Sequence, residues 1–286
     1  MNNYHTHSKY CIHGYNDIED YVKEAKKLEM SELGFTAHIP FDDNFLNSSY
    51  YQDIMANANR YNPKIQSGRQ SRMPLSNVDA CLNDINEAKL KYLDIKILSG
   101  FECEYDETND EFVKEMRKKV DYLSLGLHHV FKDGRLYDFT KRIVVSKDEY
   151  RDLTYDDFKV YVDAAINGMK SGLFTIFVHP EYFLNWNQEF NDICKDLTRK
   201  MVKTAIENDI YIEMNTSDYF KAEKRKRSIS YPRDEFWEIV SEYPNVKIII
   251  GTDAHKPERV GDFRLDEISK IINKYKLNIS NTITIK

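Results

Sequence analysis

Short β-rich runs alternate with amphipathic helical segments along almost all of this 286-residue chain. The runs lie at 3–7, 32–36, 96–101, 122–128, 173–179, 210–215 and 246–251. Between and after them come helical patterns at 18–28, 78–93, 111–119, 155–169, 192–208, 234–242 and 265–275. In 18–28, apolar Ile18, Tyr21, Val22, Ala25 and Leu28 recur at helical spacing, and Asp17 stands where a cap belongs. Seven strands each followed by a helix predict a parallel sheet, because parallel neighbours need crossover connections. No composition shift marks a boundary, so residues 1–286 read as one α/β domain closed, or nearly closed, into a barrel. Two long polar insertions, about 40–76 and 130–151, follow the second and fourth strands and have the length of functional or lid-like loops.

Composition removes other classes. Hydrophobic residues make up 41% and charged residues 31%, as in a globular protein, and only 10 glycines and 7 prolines argue against low complexity. The longest apolar runs, at 173–178 and 246–250, fall far short of the ~18–20 residues of a membrane helix. A net charge of −6 gives no electrostatic footprint for gripping a nucleic acid backbone. Cys11, Cys81, Cys103 and Cys194 are scattered without a CxxC pair and read as buried reduced thiols. Chemistry-bearing residues begin at His5 and leave no room for a secretory leader, so the expected compartment is the cytoplasm.

The histidines carry the chemistry. All eight lie at the end of a predicted strand or in the loop after it: His5, His7 and His13; His38; His128 and His129; His179; and His255. Carboxylates share this placement, with Glu102 closing the third strand and Asp253 just beyond the seventh. In a parallel barrel the carboxyl ends of all strands open on one face, so these groups converge on one cup. Burying them unpaired would be costly, whereas imidazole with carboxylate suits zinc, iron or manganese. The number of ligands exceeds the needs of one tetrahedral ion and implies two or three divalent metals. Glu102 is the natural bridge between two of them; Glu104 shares its face, and Cys103 points the other way.

At these residues the chain resembles the PHP superfamily, and within it the histidinol-phosphate phosphatases. His5-Thr6-His7 with Cys11-Ile12-His13-Gly14 resembles the family's opening motif, and Phe35-Thr36-Ala37-His38-Ile39-Pro40 its second. Gly100-Phe101-Glu102, Gly126-Leu127-His128-His129, His179-Pro180 and Gly251-Thr252-Asp253-Ala254-His255 resemble the rest, in order. Relatives often carry an acidic residue where this chain has Ala37. The resemblance implies a distorted (β/α)7 barrel with a trinuclear metal site at the C-terminal ends of the strands. It implies one metal on His5, His7, Glu102 and Asp253, a second on Glu102, His128 and His179, and a third on His13, His38 and His255.

The same resemblance implies a metal-dependent phosphomonoesterase that hydrolyses L-histidinol phosphate, in histidine biosynthesis, through a metal-activated hydroxide. Asp253 and His129 are the candidates for protonating the leaving oxygen. Arg72-Met73, Asp138 and the segment from Asn215-Thr216-Ser217 through Lys224-Arg225-Lys226-Arg227 to Tyr231-Pro232 resemble phosphatase insertions. Arg225 or Arg227 is the expected phosphate clamp, with Arg259 and Arg72 as further candidates, and Asp138 is expected to meet the substrate's cationic end. The alternatives are a PHP phosphoesterase for other small monoesters and a PHP 3′–5′ exonuclease. A small phosphorylated substrate is the expected partner, without membrane or nucleic acid. No GxSxG, Gly-rich phosphate loop or other rival nucleophile motif occurs.

Overall fold

The computed structural model describes residues 1–61, 72–106, 108–184 and 189–285. Six parallel strands form its central sheet: β1 (Glu32–His38), β2 (Lys96–Cys103), β3 (Tyr122–Leu125), then Ile176–Phe177, Tyr211–Asn215 and Lys247–Gly251, in that spatial order. Nearly every residue in them is buried, as in a sheet covered on both faces. Strand alternation divides the side chains. Phe35, Phe101, Leu123, Leu125, Ile212 and Ile250 belong to the large core shared with the surrounding helices. Tyr4, Leu98, Tyr122, Ile176, Tyr211 and Ile249 form a separate cluster that fills the concave side below the strand ends. Gly34 and Gly100 leave the space that the Tyr122 ring needs there, and Tyr122 donates to the Tyr4 carbonyl at 2.7 Å.

The seventh expected strand, 3–7, is not a strand. It makes single bridges, Asn3 to Leu33 and Thr6 to Ala254. Its backbone nevertheless spans both sheet edges: Gly34 and Thr36 N–H donate to the Asn3 and Thr6 carbonyls (2.8 and 2.9 Å), and His7 N–H donates to Ala254 at 2.7 Å. A regular ladder fails because side chains take the amides it would use. Asn3 Oδ1 accepts from His5 N–H, and Thr36 Oγ1 accepts from Thr6 N–H, each at 3.1 Å. The sheet is curled and parallel, with six strands rather than the seven expected.

The helices follow the sequence pattern closely: α1 (Ile18–Lys27), Val78–Lys91, Asp110–Arg117, Phe158–Lys170, Asp192–Glu207, Asp234–Ser241 and Leu265–Tyr275. Asp17 occupies the N-cap position of α1 but makes no capping bond, and pairs with Lys9 instead. The insertions hold structure that periodicity did not reveal. Asp43–Leu46 and Ser49–Tyr61 are helical, and His129–Lys132, Arg135–Asp138, Ile143–Ser146 and Tyr150–Asp152 form an antiparallel sheet. Ile54, Met55 and Ala58 pack on Phe131, Leu136, Ile143 and Val145, so the two insertions share a small core.

A one-turn 3-10 helix, Pro180–Leu184, follows the fourth strand and is tied down by Glu181. Its buried carboxylate accepts from Arg233 N–H at 2.6 Å and from the Trp237 indole at 2.8 Å. Burial pushes the Glu181 carboxyl up to about 8, against the pull of these donors. A raised folded-state value means that the native chain keeps a proton the unfolded chain has lost. Stability therefore falls as pH rises from 4.5 through about 8. Thermal midpoints across that window should decline less in Glu181→Gln than in the parent; parallel profiles would show that folding does not raise the Glu181 pKa.

Candidate metal and phosphate site

The ends of β1 and β2 place the first two groups side by side, since His38 pairs with Glu102 in the sheet register. Glu102 is 1% exposed and stands amid imidazoles. Its Oε1 lies 2.8 Å from His179 Nε2 and 3.7 Å from His128 Nδ1. Its Oε2 lies 3.1 Å from His38 Nδ1, 3.3 Å from His7 Nε2 and 3.4 Å from His5 Nε2. Gly126 makes this possible, because a Cβ there would overlap the Glu102 carboxylate. Burial opposes ionisation of Glu102, yet the neighbouring imidazoles hold its pKa well below the usual range.

Asp253 completes the cluster from the loop after the last strand. Its Oδ1 lies 3.2 Å from His7 Nε2 and 3.6 Å from His5 Nε2. Both His179 (φ 33°) and Asp253 (φ 47°) adopt left-handed backbone, which is unfavourable for these side chains and recurs at functional sites. Burial lowers His7 and His255 to about 3 and His38 to about 4, so their rings are neutral near pH 7.

Among the described residues, four triads have donor atoms close enough to share an ion: His5, His7 and Asp253; His5, Glu102 and His179; His38, Glu102 and His128; and His7, His38 and His255. Among the described residues, buried His7 Nε2, His179 Nδ1 and His255 Nε2 make no well-formed hydrogen bond. Orphaned imidazole nitrogens beside ionised carboxylates are what a divalent metal would satisfy, and the donor set fits one. His13 is placed differently from the expectation. It is exposed at the rim, with its ring 4.2 Å from His255 and 5.3 Å from His38, while His7 completes the compact triad with those two. The reason is chain geometry: His13 lies in a loop beyond the barrel floor, whereas His7 is held by Ala254.

Glu213 escaped the sequence reading. Fully buried on the fifth strand, it accepts from His5 Nδ1 at 2.8 Å, from His179 N–H at 2.9 Å and from Asn215 Nδ2 at 2.8 Å. It thereby turns His5 Nε2 toward Glu102 and positions the His179 backbone. Burial opposes a charge on His5, but Glu213 and Glu102 outweigh it and raise its pKa. Gly251 gives this carboxylate room. The signal was available, since Glu213 lies two residues before Asn215 and thus on the same strand face. Cys11 Sγ accepts from His38 N–H at 3.1 Å, and burial pushes its thiol well up, consistent with packing beneath the site.

A cleft of about 770 Å³ opens above the cluster, lined by His38, His128, His129, Asp253 and His255 among others. Arg72 and Arg259 line it as well. Arg72 is 8% exposed and paired with Glu104, which also stands 3.4 Å from both His128 Nδ1 and His129 Nδ1. Arg259 pairs with Asp262. Arg225 and Arg227 are not in the lining: 217–225 is helical, with Lys221 and Lys224 of that helix in the lining and Arg225 outside it, and Arg227 lies beyond its end. Arg227 instead donates to Asp218 at 2.9 Å. The same helix brings Lys221, which sequence reasoning missed, into the cleft. Asp138 is also absent from the lining. It is fully buried opposite His129 in the antiparallel sheet, and accepts from Thr140 Oγ1 at 2.6 Å and Lys141 N–H at 3.0 Å.

A candidate histidinol-phosphatase of Schizosaccharomyces pombe is 23% identical over 273 residues, covering 90% of this chain and 81% of that one. A candidate histidinol phosphatase of Listeria monocytogenes superposes with a TM-score of 0.68 at 20% identity, covering 91% of this chain and 97% of its own. Histidinol phosphate phosphatase from Lactococcus lactis, solved with zinc, L-histidinol and phosphate, gives 0.65 at 14% identity, with 99% and 98% coverage. The model of the PHP domain family matches residues 3–217, three quarters of the chain, and so the chain belongs to the PHP domain family.

Proposed function

We propose that this protein is a metal-dependent phosphomonoesterase that hydrolyses L-histidinol phosphate to L-histidinol and phosphate. The observation that carries the reading is the convergence of six imidazoles and two carboxylates, with orphaned ring nitrogens, on the floor of a cleft lined by cations. The relatives named for histidinol phosphatase activity supply the substrate.

We assign two or three divalent ions, zinc, iron or manganese, to this cluster. His5, His7, Glu102 and Asp253 would hold one, and Glu102 with His128 and His179 a second. His38, His255 and His13 would hold a third. Such ions supply a nucleophilic water ionised near neutral pH and neutralise charge on the phosphoryl oxygens. The protein's own residues do the rest. Glu102 and Glu213 fix the imidazoles, while the cleft's cations draw in the phosphate. The alkoxide leaving group needs a proton, and His129 faces the cleft between Glu104 and Asp138, with Nε2 3.7 Å from the latter. We assign that proton to His129, with Asp253 as the second candidate. Four buried free thiols suit a reducing compartment, in keeping with a cytoplasmic enzyme.

Purified protein assayed with histidinol phosphate, a nucleoside monophosphate and single-stranded DNA, with metal analysis, tests the assignment. Turnover confined to the nucleotide or the DNA would replace it with the broader monoesterase or the exonuclease reading. Glu102→Gln should keep the fold while losing bound metal and activity, because a neutral amide cannot bridge two cations. Full activity with unchanged metal content would refute the shared-ligand arrangement. Glu213→Gln should act more gently. Its amide NH2 would confront donors now satisfied by a carboxylate, and loosening the His5 ring should lower metal affinity by roughly 10- to 100-fold. Chelator competition measures that loss, and an unchanged affinity would remove Glu213 from the site.

A further inference from the structure

Lys221 enters the cleft from the helix Ser217–Arg225 and sits one carboxylate away from the imidazole cluster. Its Nζ donates to Ser217 Oγ at 3.0 Å and to Asp253 Oδ2 at 3.1 Å. The Tyr231 hydroxyl stands at 3.5 Å, the outer limit of a hydrogen bond. Two ammonium protons are thus well held and the third weakly. Asp253 divides its oxygens between the two sides, Oδ1 toward His7 and Oδ2 toward Lys221. The lysine side chain is 37% exposed, so it is open to a ligand in the cleft.

Other cations nearby are less suited to the task. Arg72 is buried against Glu104, donates to the Ile39 carbonyl at 3.1 Å and lies over the Phe41 ring at 4.3 Å. Arg259 pairs with Asp262 and lies 3.8 Å over the Phe220 ring. Lys256 sits over Tyr15 at 5.0 Å, on the outer rim. Lys224, one turn along the same helix, also lines the cleft, but Lys221 combines access with a direct contact to Asp253 of the cluster.

We propose that Lys221 grips the phosphoryl group of the substrate, in the role expected of Arg225 or Arg227. The assignment rests on the phosphomonoesterase reading above. A lysine ammonium is a compact point charge with rotatable donors, whereas a guanidinium is a planar fork that demands one approach. Lys221 can therefore turn its weakly held proton from Tyr231 to a phosphoryl oxygen while Asp253 and Ser217 keep the ammonium in place. Asp253 is the link, since the carboxylate that faces the imidazoles also aims the cation.

The test uses the metal-loaded enzyme and inorganic phosphate as the probe. Lys221→Met keeps the length of the side chain and removes its charge; Lys221→Gln serves as a second neutral variant if the first folds poorly. Calorimetric phosphate affinity should fall ~10-fold or more in either, the scale of one hydrogen bond to a charged group. Metal content should stay at the parent level, and KM for histidinol phosphate should rise. Lys221→Arg should recover part of the affinity, and Lys226→Met, on the exposed turn after the same helix, should match the parent. Unchanged phosphate affinity in Lys221→Met and Lys221→Gln would overturn the proposal. So would metal loss in step with affinity, which would make Lys221 only a support for Asp253. If the parent fails to turn over histidinol phosphate while the neutral variants still lose phosphate binding, the substrate reading falls and the phosphate grip stands.

Discussion

A carboxylate buried among imidazoles governs this molecule. Glu102 is almost fully enclosed, with nitrogens of five histidines between 2.8 and 3.7 Å of its oxygens. An isolated buried carboxylate is strongly unfavourable, and the rings of His7 and His38, neutral near pH 7, offer it only hydrogen bonds in compensation. Among the described residues, His179 Nδ1 and His255 Nε2 are buried without a hydrogen-bond partner, and His7 Nε2 faces two carboxylates without a well-formed hydrogen bond to either. Divalent cations would remove both deficits together, which ties metal affinity to the stability of the barrel floor.

The surrounding fold serves that arrangement. Gly126 and Gly251 lack a Cβ where the Glu102 and Glu213 carboxylates lie, and so leave them room. The 3–7 segment surrenders regular strand pairing, yet bonds to both sheet edges and so delivers His5 and His7 between them. His179 and Asp253 take left-handed backbone immediately after their strands, turning their side chains back over the opening. Each is a local compromise that a stable scaffold can carry.

Above the floor, the two insertions meet through an apolar interface of their own. From the second come His129, Asp138 and Thr140; from the first comes Arg72, paired with Glu104. His129 is thereby linked to both walls, through Glu104 on one side and Asp138 on the other. The opposite wall is the helix that carries Ser217 and Lys221. The cleft thus has a floor built by the barrel and walls built by its loops, the usual division between scaffold and specificity.

The sequence by itself determined the strand and helix alternation and the convergence of imidazoles and carboxylates at the strand ends. These properties follow from periodicity, because successive strand residues alternate faces and parallel strands present the same end to one side. Glu102, His38 and Asp253 were legible for that reason. Tertiary structure alone decided which groups share a position. His7 stands with His38 and His255 because hydrogen bonds to Ala254 hold its backbone, a contact separated by nearly the whole chain. Glu213 is buried beneath His5 for the same kind of reason. Local charge in the basic run conceals helical phase: 217–225 folds as a helix, placing Lys221 and Lys224 in the cleft lining and leaving Arg225 outside it. Asp138 likewise looked available until cross-strand pairing with His129 enclosed it. Local pattern sets the faces of strands and helices, but long-range packing decides which charges meet.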